Sequence, residues 1–283
     1  MRLPCRLALA AALAALPLAG ARQMTTPAAA RAGPAFARLF EANLRHGYCV
    51  GVCLDDFAEL ATRGFGAPAA TPHPTEARNA ASMGSSARAA AFCGGRAALH
   101  SAMRACGIAH VGPIARAACG SPVLPPGVLA SISHTHGLAA SLVRLATPGA
   151  LEAIGLDVEY SARTFAPRLG DRVLTESERA QVSAEAALGS SPQAGVLLRF
   201  SLKEALYKAL HQLDAHEGIA FRDVTMTPLL NGSVTCRWDA SRHEQLRGLR
   251  MSLTWSVICD YYVTTAHVIV VESDSSRNVD SQL

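Results

Sequence analysis

The sequence predicts an α+β protein built of two similar halves. Three observations predict it. Helical periodicity gives way to period-two alternation twice, in 75–145 and again in 175–271. Within 193–213, Leu198, Leu202, Ala205, Ala209 and Leu213 recur at i, i+4, i+7, i+11 and i+15, one apolar stripe of a long helix. A length of 283 residues with 50% hydrophobic content suits one large domain or two small ones, and excludes a disordered chain.

The elements follow in order. Residues 35–46 read as a short helix and Tyr48–Leu54 as a strand. Residues 61–74, rich in proline and glycine, read as a loop. Thr75–Cys106 reads as helical with a break near Gly84, at some cost from Gly94-Gly95. Residues 107–127, with Pro113, Pro122, Pro125 and Pro126, read as a long loop. Strands follow over 129–134, Leu138–Leu145 and Ala153–Tyr160. Thr175 and Glu178 stand at capping-box spacing and start a helix that runs to Leu188. The long helix 193–213 precedes β-like runs at 221–227, 233–238, 251–259 and 261–271. Residues 35–149 form the first half, 150–272 the second, and 273–283 a polar tail.

Residues 1–34 read two ways. Arg2 and Arg6 precede an apolar run from Leu7 to Leu18, and Ala19-Gly20-Ala21 resembles a cleavage site, so the three parts of a secretory signal are present. The preferred reading is a start assigned too early, with Met24 as the true start, a disordered segment to residue 34 and a cytoplasmic protein. The net charge is +4; the 26 basic side chains less Arg2, Arg6 and Arg22 leave 23 against 22 acidic. That balance argues against a general nucleic-acid binder. The 8 cysteines are scattered without a CxxC pair and read as reduced thiols. No other apolar run is long enough for a membrane span.

Four stretches could carry chemistry. In Ile154-Gly155-Leu156-Asp157-Val158-Glu159, strand alternation puts Asp157 and Glu159 on one face, about 7 Å apart along the backbone. They form either a solvated polar face or a pair of carboxylates for a divalent cation. In Phe200-Ser201-Leu202-Lys203-Glu204-Ala205-Leu206-Tyr207-Lys208-Ala209, the apolar stripe leaves Lys203, Glu204 and Lys208 on the exposed side, as a surface ion pair or as working groups. Ser131-Ile132-Ser133-His134-Thr135-His136-Gly137 ends a strand, and its hydroxyls and imidazoles suit a phosphate, a polar turn, or a His-x-His metal pair. Arg88, Phe92 and Gly95-Arg96 share a helix, either as ordinary solvated arginines or with the glycine allowing close backbone approach to a ligand.

Taken in order, Ser133-His134, Gly155-Leu156-Asp157-Val158-Glu159 and the 200–209 run resemble the 4′-phosphopantetheinyl transferases. The run Arg88 to Arg96, with Pro122 and Pro125-Pro126-Gly127, resembles the siderophore branch, that of enterobactin synthase component D. The resemblance spans roughly residues 75–212. Ala91, Leu124, Ala130 and Ser121 depart from that branch, which usually has an acidic residue, tryptophan, glycine and a charged residue there.

The resemblance implies two α/β subdomains related by a pseudo-twofold, with the nucleotide between them. It implies transfer of the phosphopantetheine arm of coenzyme A to a serine of an apo acyl or peptidyl carrier protein, releasing adenosine 3′,5′-bisphosphate. Asp157, Glu159 and Glu204 would hold Mg²⁺ or Mn²⁺; Glu204 and Lys208 would be catalytic. Arg88, Arg96, Ser133, His134, Asp157, Lys203 and Lys208 would contact coenzyme A. The protein is expected to act as a monomer, with no nucleic acid and no transmembrane span. The alternatives are a catalytically silent homologue that binds coenzyme A or a carrier, and a secreted metallo-hydrolase using His134 and His136. GxSxG, HExxH and GxxxxGK[ST] do not occur in the sequence.

Overall fold

The structure, a computed structural model, describes residues 22–23, 36–54, 70–110, 112–118, 120–166, 168–238 and 243–271. The expected leader up to residue 21, the segment 24–34 and the tail 273–283 lie outside the described residues, as do Cys5, Cys119 and most of the 61–74 loop.

Sheet 1 contains β1 (Arg22–Gln23), β2 (Arg38–Leu44), β3 (Gly47–Cys53), β4 (Val128–Thr135) and β5 (Leu138–Leu145), in the order β1-β2-β3-β5-β4. Sheet 2 contains β6 (Glu152–Tyr160), β7 (Val224–Pro228), β8 (Ser233–Trp238), β9 (Leu249–Ile258) and β10 (Tyr261–Val270), in the order β6-β10-β9-β8-β7. The strand pairs are all antiparallel. Helices α1 (Pro74–Ala81) and α2 (Ser86–Ala105) belong to the first half; α3 (Leu169–Val173), α4 (Glu176–Ala187) and α5 (Pro192–Gln212) belong to the second. Among the described residues no helix is long and apolar enough to cross a membrane, and Cys49, Cys53, Cys93, Cys106, Cys236 and Cys259 are free thiols.

The two halves repeat one plan. In each half a strand (β3 or β6) precedes a short capped helix (α1 or α4) and then a long helix (α2 or α5), with α3 as an addition of the second half among the described residues. The last strand (β5 or β10) returns to pair with the first. A deeper sign of the repeat is a buried glutamate at the third residue of each capped helix. Glu76 closes a capping box with His73 and binds His100 Nε2 and Ile114 N–H. Glu178 closes a box with Thr175 and binds Lys203 Nζ and Met226 N–H. In both halves one carboxylate ties the short helix to the long helix and to the chain beyond it.

Residues 35–46 correct the sequence reading: 38–44 is a strand. Phe40 and Ala42 are buried on one face while the backbone pairs with β3, so hairpin pairing overrides helical propensity. Of the run expected over 221–227, residues Phe221–Asp223 form a 3-10 turn before β7, and α3 has no counterpart among the expected elements; the other expected elements form close to their expected bounds, including both helices of 75–106 and the strands 138–145 and 153–160.

One core lies under α2 and another under α5. A third joins the halves, packing Phe40, Cys49, Leu138 and Leu142 against Ile154, Leu156, Val158 and Val263. Along this seam the outer edge of β4 runs beside that of β6. Side chains join them in place of a ladder: Ser131 Oγ accepts from Leu156 N–H at 2.9 Å and Ser133 Oγ from Val158 N–H at 3.4 Å. These hydroxyls satisfy edge amides that would otherwise be buried without partners.

Candidate active site

Gly155 determines where α5 lies. A Cβ built there would come 1.8 Å from the Ala205 carbonyl oxygen, so only glycine lets the helix backbone rest on β6. Ile154, Leu156 and Val158 then fill the seam core, while Asp157 points towards α5.

Asp157 is 5% exposed. Its Oδ1 accepts from Ser133 Oγ and from Lys208 Nζ, both at 2.8 Å; its Oδ2 accepts from Ser201 Oγ at 2.8 Å. Ser201 is in turn 2.8 Å from Thr264 Oγ1. Glu159 is equally buried, held by Thr135 Oγ1 and the Arg163 guanidinium. Burial holds the Glu159 carboxyl above its ordinary range, with the Asp157 charge adding to the effect against Arg163 and Thr135. Glu204 is half-buried and makes no hydrogen bond or ion pair among the described residues. Burial and the charges of Asp157 and Glu159 push its carboxyl upward, against the pull of Lys208. The acidic face is therefore a buried, crowded cluster rather than a solvated strand face.

A cleft of about 1210 Å³ opens between the halves beside this cluster. Glu204, Tyr207, Lys208 and His211 of α5 form one wall, and Ser131, Ile132 and His134 of β4 the floor. Arg88, Phe92 and Arg96 of α2, with Arg116 and Leu124 of the long loop, form the far side. Arg96 is buried, with its guanidinium 5.1 Å from the Phe92 ring centroid. His134 is held below the ordinary imidazole range by burial and by the Lys208 charge, partly offset by Asp157. The cleft therefore takes Glu204 and Lys208 from α5, beside the buried Asp157 and Glu159, and three guanidiniums from α2 and the long loop. Ala91, Leu124, Ala130 and Ser121, the four departures from the siderophore-branch pattern, all line this cleft.

Three expected placements change. Lys203 is buried, at 2% exposure, and outside the cleft lining. Its three ammonium hydrogens go to Glu178 (2.6 Å), Val173 O (2.8 Å) and Phe221 O (2.8 Å), so none is left for a ligand. The apolar stripe hid this because α3 and α4 cover the side of α5 that the sequence leaves polar. Ser133 is also buried and does not line the cleft; it steadies Asp157 and Lys208. At Gly95 an added Cβ would come 2.8 Å from Ile132 Cγ2, so this glycine seats α2 on the sheet, while the residue also lines the cleft. Asp157, Glu159, Glu204 and Lys208 gather beside the cleft; Arg88, Arg96 and His134 line it. Lys208 also has three acceptors, with Leu156 O and Ser133 Oγ each at 3.0 Å, but its side chain is 28% exposed on the cleft.

Sequence reasoning missed Ser201, Thr264 and Arg116, and it offered Ser131 to a phosphate where the structure has its hydroxyl taking the Leu156 N–H. Ser201 carried a signal: it sits one turn from Leu197 and Ala205 in a buried helix face, where a hydroxyl needs a partner. Arg116 carried none.

The residues fit a hard divalent cation in kind. The donors are three carboxylates, two of them held above their ordinary range by burial and the charge of Asp157. Among the described residues, however, no three His, Cys, Asp or Glu side chains converge as a ready-made metal cage, and His134 with His136 lacks a third ligand. The cation lying against Asp157 is the Lys208 ammonium.

Residues 153–265 match the family model described as the 4′-phosphopantetheinyl transferase superfamily. Residues 76–144 match that of the 4′-phosphopantetheinyl transferase N-terminal domain. No curated protein matches the chain at a significant level. Solved structures similar to it include the Chronobacterium ammoniagenes ACPS-CoA complex, at 16% identity and TM-score 0.34, over 43% of this chain and 99% of that one. Another is the holo-ACP-synthase from Plasmodium yoelii, at 16% identity and TM-score 0.35, over 42% and 94%. A third is Mycobacterium tuberculosis acyl carrier protein synthase, at 20% identity and TM-score 0.30, over 42% and 97%.

Proposed function

Because the chain belongs to the 4′-phosphopantetheinyl transferase superfamily, its two halves matching the family's two models in order, we propose that this cleft moves the phosphopantetheine arm of coenzyme A onto a serine of an apo acyl or peptidyl carrier protein. The observation that carries the proposal is the charged lining of the cleft. Glu204 and Lys208 line it from α5, next to the buried Asp157 and Glu159, and Arg88, Arg96 and Arg116 line it from α2 and the loop, a set of groups suited to a substrate with a reacting pyrophosphate and a second phosphate.

Phosphoryl transfer asks for positioning and charge neutralisation rather than covalent help. The serine oxygen attacks the phosphorus bearing the pantetheine arm, and the bond to the second phosphate breaks, releasing adenosine 3′,5′-bisphosphate. Glu204 accepts the serine proton, directly or through a water; its raised affinity for protons and lack of a partner suit it to that role. Lys208 offsets the charge that develops on the leaving phosphate, and Asp157 and Ser133 hold its ammonium in place. Asp157, Glu159 and Glu204 would hold Mg²⁺ or Mn²⁺, which supplies neutralisation of the pyrophosphate charge. Arg88, Arg96 and His134, joined by Arg116, bind the adenosine end and its 3′-phosphate.

The Arg88-to-Arg96 run supports placement in the siderophore branch, and a coenzyme A substrate fits a cytoplasmic protein. The test is transfer itself. Purified protein with coenzyme A, Mg²⁺ and a panel of apo acyl and peptidyl carriers should add the arm to a carrier, seen as a mass increase. Binding of coenzyme A without transfer to any carrier would instead indicate a silent homologue.

A further inference from the structure

Glu76 lies behind Arg96 and is not part of the cleft lining. It is 1% exposed. Its Oε1 accepts from Ile114 N–H at 2.8 Å, and its Oε2 from His73 N–H at 2.7 Å and His100 Nε2 at 3.0 Å. Arg96 Nε stands 3.9 Å from Oε1, buried and without a hydrogen-bond partner. Although burial works against its charge, the hydrogen bonds from His100, Ile114 and His73 hold the carboxyl below the ordinary range.

The Ile114 contact reaches the cleft along the chain. The next residue, Ala115, accepts from Arg96 Nη2 at 3.4 Å and from Val123 N–H at 2.9 Å. Arg116 follows, lining the cleft and donating to Gly120 O at 3.3 Å. Burial works against the Arg96 charge, Glu76 supports it and Arg116 opposes it. Two guanidiniums thus line the same part of the cleft, with the buried Glu76 carboxylate behind Arg96.

We propose that Glu76 is a positioning residue: by holding Ile114 N–H and facing Arg96 it sets both guanidiniums for the 3′-phosphate of coenzyme A, and so governs ground-state binding rather than the transfer step. This rests on the function proposed above. The second half offers a built-in comparison, since there Glu178 holds a lysine where Glu76 holds His100.

The test compares wild-type protein, Glu76→Gln and His100→Lys, each as the full chain and checked for a cooperative melt. Glu76→Gln should raise KM for coenzyme A about tenfold, the scale of one lost charge-assisted contact, with kcat within about twofold of wild type. Its Kd for adenosine 3′,5′-bisphosphate should rise in parallel, while the Kd for AMP, which lacks the 3′-phosphate, stays near wild type. His100→Lys, which copies the other half, should keep wild-type constants. Should Glu76→Gln not fold, His100→Gln carries the same expectation at about threefold, because it weakens one of the hydrogen bonds that hold the Glu76 carboxylate in place. Unchanged KM, a fall in kcat alone, or equal loss of both nucleotides would overturn the proposal. The nucleotide arm needs no carrier, so it reads Glu76 even if transfer is absent; absent transfer by wild type would count against the proposed function instead.

Discussion

Lys208 Nζ lies 2.8 Å from Asp157 Oδ1, so a helix residue and a strand residue 51 positions apart form an ion pair beside the cleft. Lys208→Ala should lower kcat by about 10²–10³, the usual cost of removing one charge-stabilising donor. KM for coenzyme A should change far less. Steady-state kinetics against one carrier decides this; near-normal kcat would make the pair structural only.

Asp157→Ala should cost stability as well as activity. It strands Lys208, Ser133 and Ser201 in a buried setting, at about 2–3 kcal/mol for hydrogen bonds to a charged group. Asp157→Asn keeps the shape and should retain most of that stability while losing transfer. Urea denaturation of the two variants, beside mass-spectrometric transfer assays, separates the effects.

The raised carboxyls of Glu204 and Glu159 predict two pH effects. Because the folded state binds these protons more tightly than the unfolded chain, the two groups favour folding fully below the ordinary value of 4.5. That contribution is lost as pH rises through their higher folded values. Activity runs the other way: Glu204 must be ionised, so kcat/KM should fall towards acid with an apparent pKa above 4.5. Raising Mg²⁺ should move this limb to lower pH, and Glu204→Gln should abolish both the limb and most of kcat.

Lys203→Ala should act on stability alone. Removing one partner of a buried pair costs about 3–5 kcal/mol, and here Glu178 would be left facing Met226 N–H and Thr175 N–H without its cation. The folded fraction should keep wild-type KM for coenzyme A. A large rise in KM with an unshifted urea midpoint would return Lys203 to the substrate.

Chelation should abolish transfer, with Mg²⁺ or Mn²⁺ restoring it. Mg²⁺ should also raise the thermal midpoint of wild type by relieving repulsion among Asp157, Glu159 and Glu204. Glu204→Gln should lose that rise. Full transfer in excess chelator would overturn the carboxylate reading.

The sequence alone determined whatever depends on local period and local chemistry. Strand alternation put Asp157 and Glu159 on one face, the stripe Leu198 to Ala209 marked α5, and Thr175 with Glu178 marked the start of α4. Tertiary structure decided what each polar group meets. Lys203 and Lys208 both look polar beside the stripe, yet α3 and α4 seal the first against Glu178 while the second stays on the cleft. Ser133 and Ser201 became partners of Asp157 only because Gly155 lets α5 rest on β6 and β4 runs beside β6. Residues 38–44 became a strand because β3 was there to pair with it. Periodicity reports which way a side chain faces; it carries no information on which distant element will cover that face, and burial, charge and pKa are set by that covering.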